Sequence, residues 1–163
     1  MKIKSGISPV GYYSYYQKHP EAVELVLNGK YFCDKEFNTE YIAQCIQSKW
    51  TVQNAKSYKT FVHEYGHHVA DSLKWLENNE LDSDKWCKNF INDVLLEYNK
   101  KYNKECSFKD ISDLVSRYGG TKAAETFAET FAEYFGGDNP REFAKVFGAK
   151  VEEKLKYFIK AKE

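Results

Sequence analysis

Three of the chain's four histidines fall in one six-residue run, His63-Glu64-Tyr65-Gly66-His67-His68. On a helix, His63 and His67 (spaced i, i+4) share one face a turn apart, so their imidazoles can hold one metal ion between them. Neutral imidazole at that separation suits zinc. Glu64 stands about 100° around the helix from His63, beside such an ion rather than on it. From there its carboxylate can take a proton from an activated water and return it to a leaving amine. His68 points about 100° away from His67 and is read as a supporting or surface residue.

The pattern is H-E-x-x-H, the zinc-peptidase spacing. The competing reading is an amphipathic helix with solvated histidines. A catalytic zinc needs a third protein ligand and an open position. The best source is Ala123 to Phe135, AAETFAETFAEYF, where Glu125, Glu129 and Glu133 repeat every four residues beside stripes of phenylalanine and alanine. A helix apolar around most of its circumference is expected to be buried, and a buried carboxylate stripe needs a metal or donors to offset its desolvation. Glu125, nearest the helix start, is the expected ligand. Glu129, one turn on, is placed to accept from a ligand histidine's free ring N–H. Glu133 is expected to be exposed. Thiolates are the competing ligands, but none of the cysteines lies near either segment in sequence.

The remaining sequence must position these two helices. Ser57 is expected to cap a helix running to about Asn78, on which Val62, Tyr65, Val69, Leu73 and Leu76 recur at helical spacing. Thr121 is expected to cap the glutamate-bearing helix, which ends at Gly136-Gly137. Around them, Thr39–Lys49, a segment from Asp82 or Ser83 to about Tyr102, Ser107–Arg117, a segment opening at Pro140, and Val151–Ile159 read as further helices. Residues 1–20 are aromatic and turn-rich. Val23–Phe32 reads as a strand, a turn at Asn28-Gly29 and a short second strand, with Val23, Leu25 and Leu27 on an apolar face. The expected fold class is α+β, mainly α, with a small N-terminal β-sheet, in a single domain spanning 1–163.

The chain has 163 residues with 24 Lys+Arg and 24 Asp+Glu, and is 42% hydrophobic and 17% aromatic, which supplies one core and argues against disorder. Zero net charge, with Arg117 and Arg141 the only arginines, argues against nucleic-acid partners. No apolar run approaches the ~18 residues of a membrane span. Lys2 and Lys4 are followed by Ser-Gly-Ile-Ser-Pro, not by the apolar core of a signal peptide, so a cytoplasmic location is expected, with secretion left open. Cys33, Cys45, Cys87 and Cys106 include no C-x-x-C pair and read as free thiols.

HEYGH, followed downstream by YGGTKAAETFAETF, resembles the lethal-factor-type zinc metallopeptidases, which include the anthrax lethal factor catalytic domain and the Pro-Pro endopeptidases. Similar domains occur in phage head-associated proteins, which the tail GGDNPREFAKVFG resembles. The family pattern has a tyrosine seven residues before a metal-binding glutamate, and Tyr118 stands seven residues before Glu125. The resemblance implies a zincin-like domain with zinc held by His63, His67 and Glu125. It implies Glu64 as general base and acid, Tyr118 as transition-state stabiliser, and Glu129 as a support behind the ligands. It covers residues 57–135 well. It departs three positions after the second histidine, where an acidic residue is frequent in the family and this chain has Ala70 followed by Asp71.

Without the resemblance, Tyr118 stands before a Gly-Gly break, where a loop could bring its phenol over the site as an oxyanion donor. The expected activity is a zinc-dependent metalloendopeptidase acting on peptide or protein substrates. An extended substrate is expected to pair with the strand in Val23–Asn28 as an edge. Two rivals are a phage head-associated structural protein with a non-catalytic zinc site and a zinc hydrolase acting on other amides or esters.

Overall fold

In the computed structural model, residues 1–16, 19–77 and 83–160 are described. Three segments at the N-terminal end extend into strands: β1 (Lys2–Lys4), β2 (Gly11–Tyr16) and β3 (His19–Asn28). Tyr12, Tyr13 and Tyr15 of β2 are half-buried, which suits aromatic side chains on a pleated surface. The sheet order is β1-β3-β2, with β1 parallel and β2 antiparallel to β3. β3 is therefore the central strand, which corrects its reading as the edge. Burial gathers at Val26, Leu27 and Asn28, where the helices approach, rather than along a face of Val23, Leu25 and Leu27.

The strand expected after Asn28-Gly29 is instead a one-turn helix, α1 (Gly29–Phe32). Asn28 decides this. Its buried Nδ2 donates to the carbonyls of Ile7 (2.8 Å) and Pro9 (3.0 Å), and its Oδ1 accepts from Lys30 N. The side chain thus caps a helix and ties it to the loop between β1 and β2. Asp34 caps α2 (Lys35–Gln47) in the same way through Phe37 N, so that helix starts before Thr39.

The long helices are α3 (Lys59–Leu76), α4 (Ser83–Tyr102), α6 (Ala123–Gly136) and α7 (Glu142–Lys160), with α5 (Ile111–Leu114) a single turn. Ser57 does not cap α3, whose boundary residue is Tyr58 with no side-chain cap. Asn78 and Asp82, at the expected ends of α3 and α4, lie outside the described residues. Thr121 does not cap α6, because Gly119–Thr121 curls into a 3₁₀ turn and the Thr121 hydroxyl donates to Tyr118 O. The cap comes from another helix: Asp84 of α4 accepts from Ala124 N at 3.0 Å. The two C-terminal helices are one, α7. Gly148 does not break it, because the missing side chain admits the Tyr134 ring, which would lie 2.3 Å from a Cβ there.

α6 is the hub. Phe127, with no exposed surface, packs on Trp86 and Phe90 of α4 and meets Phe147 of α7 edge-on at 4.8 Å. Its neighbour on the other side is α3. There Gly66 faces α6 so closely that an added Cβ would sit 3.1 Å from both Ala128 Cα and Phe131 Cβ. Gly66→Ala is expected to push the helices apart and destabilise the fold by about 1–3 kcal/mol, read as a lowered denaturation midpoint. All four cysteines are free, and no helix among the described residues is long and apolar enough to cross a membrane. The architecture is α+β and mainly helical.

Candidate metal centre

α3 and α6 run antiparallel, and each presents one stripe of polar side chains to the other. Along α3 the stripe is Lys59, His63, His67; along α6 it is Glu129, Glu125. Lys59 pairs with Glu129, His63 meets both glutamates, and His67 meets Glu125. The glycine at position 66 and the alanine at 128 keep the backbones close enough for these contacts.

His63, His67 and Glu125 form a group that could hold a metal ion, with one donor atom from each within 4.8 Å of the others. Glu125 Oε2 lies 3.1 Å from His63 Nε2 and 3.4 Å from His67 Nε2. Donors bound tetrahedrally to zinc at about 2.0–2.1 Å stand about 3.3 Å apart, so these separations fit such an ion. Two imidazole nitrogens and one carboxylate oxygen are also the donor chemistry that an open zinc site uses. Burial and the nearby Lys59 charge push the His63 pKa down, but its hydrogen bonds to Glu125 and Glu129 prevail and hold it above the ordinary value. Burial alone would raise Glu125; hydrogen bonds and charge from the two histidines instead hold it well below the usual carboxylate range.

Glu129 has no exposed surface. Its Oε2 accepts from Thr51 Oγ1 (2.9 Å), Val52 N (3.2 Å) and Ser116 Oγ (3.0 Å). Its Oε1 is shared by the Lys59 ammonium and His63 Nδ1, the latter at 2.8 Å. Burial works against its ionisation, but the Lys59 charge and the His63 hydrogen bond overcome it and hold the carboxyl well below the usual range. With Nδ1 directed at Glu129, the other nitrogen of His63 faces Glu125 and His67, the orientation a metal ligand requires.

Glu64 sits beside this group, 8% exposed, and burial pushes its carboxyl above the ordinary value against the pull of both histidines. Tyr118 stands beside Glu125, whose charge bears on its phenol, and its ring lies 5.7 Å from that of His63. Burial, then the Glu125 charge, push its phenol upward, which keeps the hydroxyl protonated as a donor. The segment carrying it is fixed from the loop before α3: Arg117 N donates to Lys49 O, Tyr118 N to Trp50 O, and the Trp50 and Tyr118 rings pack at 5.2 Å.

Two cavities open at these residues, both bordered by Gly11, His63, Glu64 and Tyr118. One, of about 250 Å³, runs between α2 and the Trp50 loop past Tyr41, Ile42 and Cys45. The other, of about 320 Å³, passes His67 and Glu125 beside Tyr12 and Tyr13 of β2. The strand bordering the site is therefore β2.

His68 stands apart from the group, its ring against Tyr13 and Tyr65. Glu133, expected to be exposed, is 1% exposed. Arg141, brought over it by the turn before α7, donates to both of its oxygens, so the third glutamate of the stripe is neutralised by an arginine rather than by water. Lys59, Thr51 and Ser116 join the site through Glu129, beyond the residues that the sequence pattern singles out. Thr51 and Ser116 carry no sequence signal, because they come from loops. Lys59 does carry one: it lies one turn before His63, on the same face as the two histidines.

No model of a known protein family, no curated protein and no solved structure matches this chain.

Proposed function

We propose that the chain is a zinc-dependent metalloendopeptidase of zincin-like, lethal-factor-like type that hydrolyses peptide bonds. The observation that carries this reading is the convergence of His63 Nε2, His67 Nε2 and Glu125 Oε2, with the Glu64 carboxylate beside them in a cleft. A zinc ion held by those three residues supplies Lewis acidity toward water and toward a peptide carbonyl. Glu64 takes the proton of the attacking water and passes it to the departing amine. The Tyr118 hydroxyl donates to the carbonyl oxygen as it gains charge. Glu129 holds the His63 ring in the tautomer whose Nε2 is free to bind.

An extended substrate pairs with β2, not β3. β2 is bonded to β3 on one side only, its other side is a free edge among the described residues, and it borders the cleft. A complex with an uncleavable peptide analogue is expected to show main-chain hydrogen bonds to residues 11–15; a peptide bound away from β2 would overturn that placement.

The test of the reading itself is metal content with cleavage. Protein purified without chelators is expected to carry one zinc per chain and to cleave members of a peptide library. His63→Ala and Glu125→Ala are expected to lose the zinc and the cleavage together. A wild-type chain that takes up no zinc would end the proposal, and one that binds zinc yet cleaves no peptide would leave a structural metal site in its place.

A further inference from the structure

Lys59 is a charged side chain where a charge is expensive. It is 9% exposed, at the first turn of α3, in the seam between α3 and α6. An ammonium there requires a partner, and Glu129 is that partner. An apolar residue at 59 facing a neutral one at 129 would close the same seam without desolvating either charge. The location of the pair is therefore informative.

The two oxygens of Glu129 have different surroundings. Oε2 is held by three neutral donors, Thr51, Val52 and Ser116. Oε1 is held by Lys59 and by Nδ1 of His63. Lys59 Nζ also lies 3.5 Å from that same nitrogen. The ammonium, the carboxylate oxygen and the ring nitrogen thus form a closed triangle behind a candidate metal ligand. The position of Oε1 sets the plane of the His63 ring, and the ammonium, held on that same oxygen, fixes where the oxygen stands.

We propose that Lys59 is a positioning residue for the metal centre, acting through Glu129 on the orientation of His63. This inference rests on the reading of His63, His67 and Glu125 as zinc ligands.

The test is a double-mutant cycle on zinc affinity, measured by competition with a chromophoric chelator for wild type, Lys59→Met, Glu129→Gln and the double variant. Lys59→Met is expected to bind zinc about 10–100-fold more weakly, the range for losing the support of a ligand histidine. Because Lys59 acts through Glu129, the double variant is expected to be no weaker than Glu129→Gln alone, within about twofold. Lys59→Arg keeps the charge and the donors and is expected to recover most of the affinity. The visible bands of the cobalt(II)-substituted protein report ligand geometry directly; they are expected to shift in Lys59→Met and to return toward wild type in Lys59→Arg.

A folded Lys59→Met variant with wild-type zinc affinity and an unchanged cobalt spectrum would overturn the proposal. So would a double variant weakened by the product of the two single losses. If Lys59→Met does not fold, Lys59→Gln, which keeps a donor toward Glu129 without the charge, takes its place in both measurements, and unchanged zinc affinity with an unchanged cobalt spectrum there would equally overturn the proposal. A wild-type chain that binds no zinc removes the proposed function and this inference with it. A zinc-binding chain indifferent to Lys59 removes the inference alone.

Discussion

Glu64→Gln is expected to lower kcat/KM for peptide cleavage by about 10²–10⁴-fold, the contribution of a positioned general base. Glutamine matches glutamate in volume, so the packing around this 8% exposed side chain is kept. It cannot accept a proton. The residue lies outside the group of three donors, so zinc content is expected to remain at the wild-type level. The pairing of retained zinc with lost cleavage is the informative result. Cleavage at the wild-type rate would remove Glu64 from the chemistry, and lost zinc would mean that its role is to hold the site together. Glu64→Asp, shorter by one methylene, is expected to fall between, because the carboxylate is present but withdrawn from the cleft.

Glu129→Ala is expected to be among the most destabilising single substitutions in the chain, at about 3–5 kcal/mol in chemical denaturation of the metal-free protein. The carboxylate has no exposed surface and receives donors from two loops and from α3. Truncation leaves the Lys59 ammonium buried with its partner gone, together with unmatched donors at Thr51, Val52 and Ser116. Against a typical total stability of about 5–15 kcal/mol, that loss is a large share. A change under about 1 kcal/mol would mean that water reaches the vacated seam and hydrates the ammonium.

The pH dependence follows the same group. The folded-state pKa of Glu129 is depressed, so its stabilising contribution is fully present above its ordinary value of 4.5 and is lost as pH falls toward the folded value. The metal-free wild type is therefore expected to weaken in acid below about pH 4.5, and Glu129→Ala to show less of that acid dependence.

Helix periodicity made much of the site legible in advance. A four-residue spacing puts His63 with His67, and Glu125 with Glu129, on one face each, whatever else the chain does. It also shows Lys59 on the histidine face, although a lysine is ordinarily exposed and draws no attention there. It could not distinguish Glu133 from a solvated glutamate, because the neutralising Arg141 arrives from beyond the end of α6. Caps were less legible than stripes. The donors at the start of α6 are met partly by Asp84, forty positions earlier and on another helix, while the nearer Thr121 hydroxyl is occupied with Tyr118 O. The turn at Asn28 is illegible for a related reason: the Asn28 side chain bonds to Ile7 and Pro9, distant in sequence, and a helix starts where the local pattern reads as a hairpin turn.

The sequence by itself determined that this chain is mainly helical and that two of its helices each carry a stripe of groups suited to a metal, because both properties are set by the local repeat of the backbone. The tertiary structure decided that the stripes face each other antiparallel, with Gly66 admitting α6 and the ammonium of Lys59 meeting the carboxylate of Glu129. It also decided that β3 is the central strand and that β2, with one side unpaired among the described residues, borders the cleft. Those outcomes depend on which surfaces exclude water against each other, and periodicity says which side chains share a face but not what that face will meet.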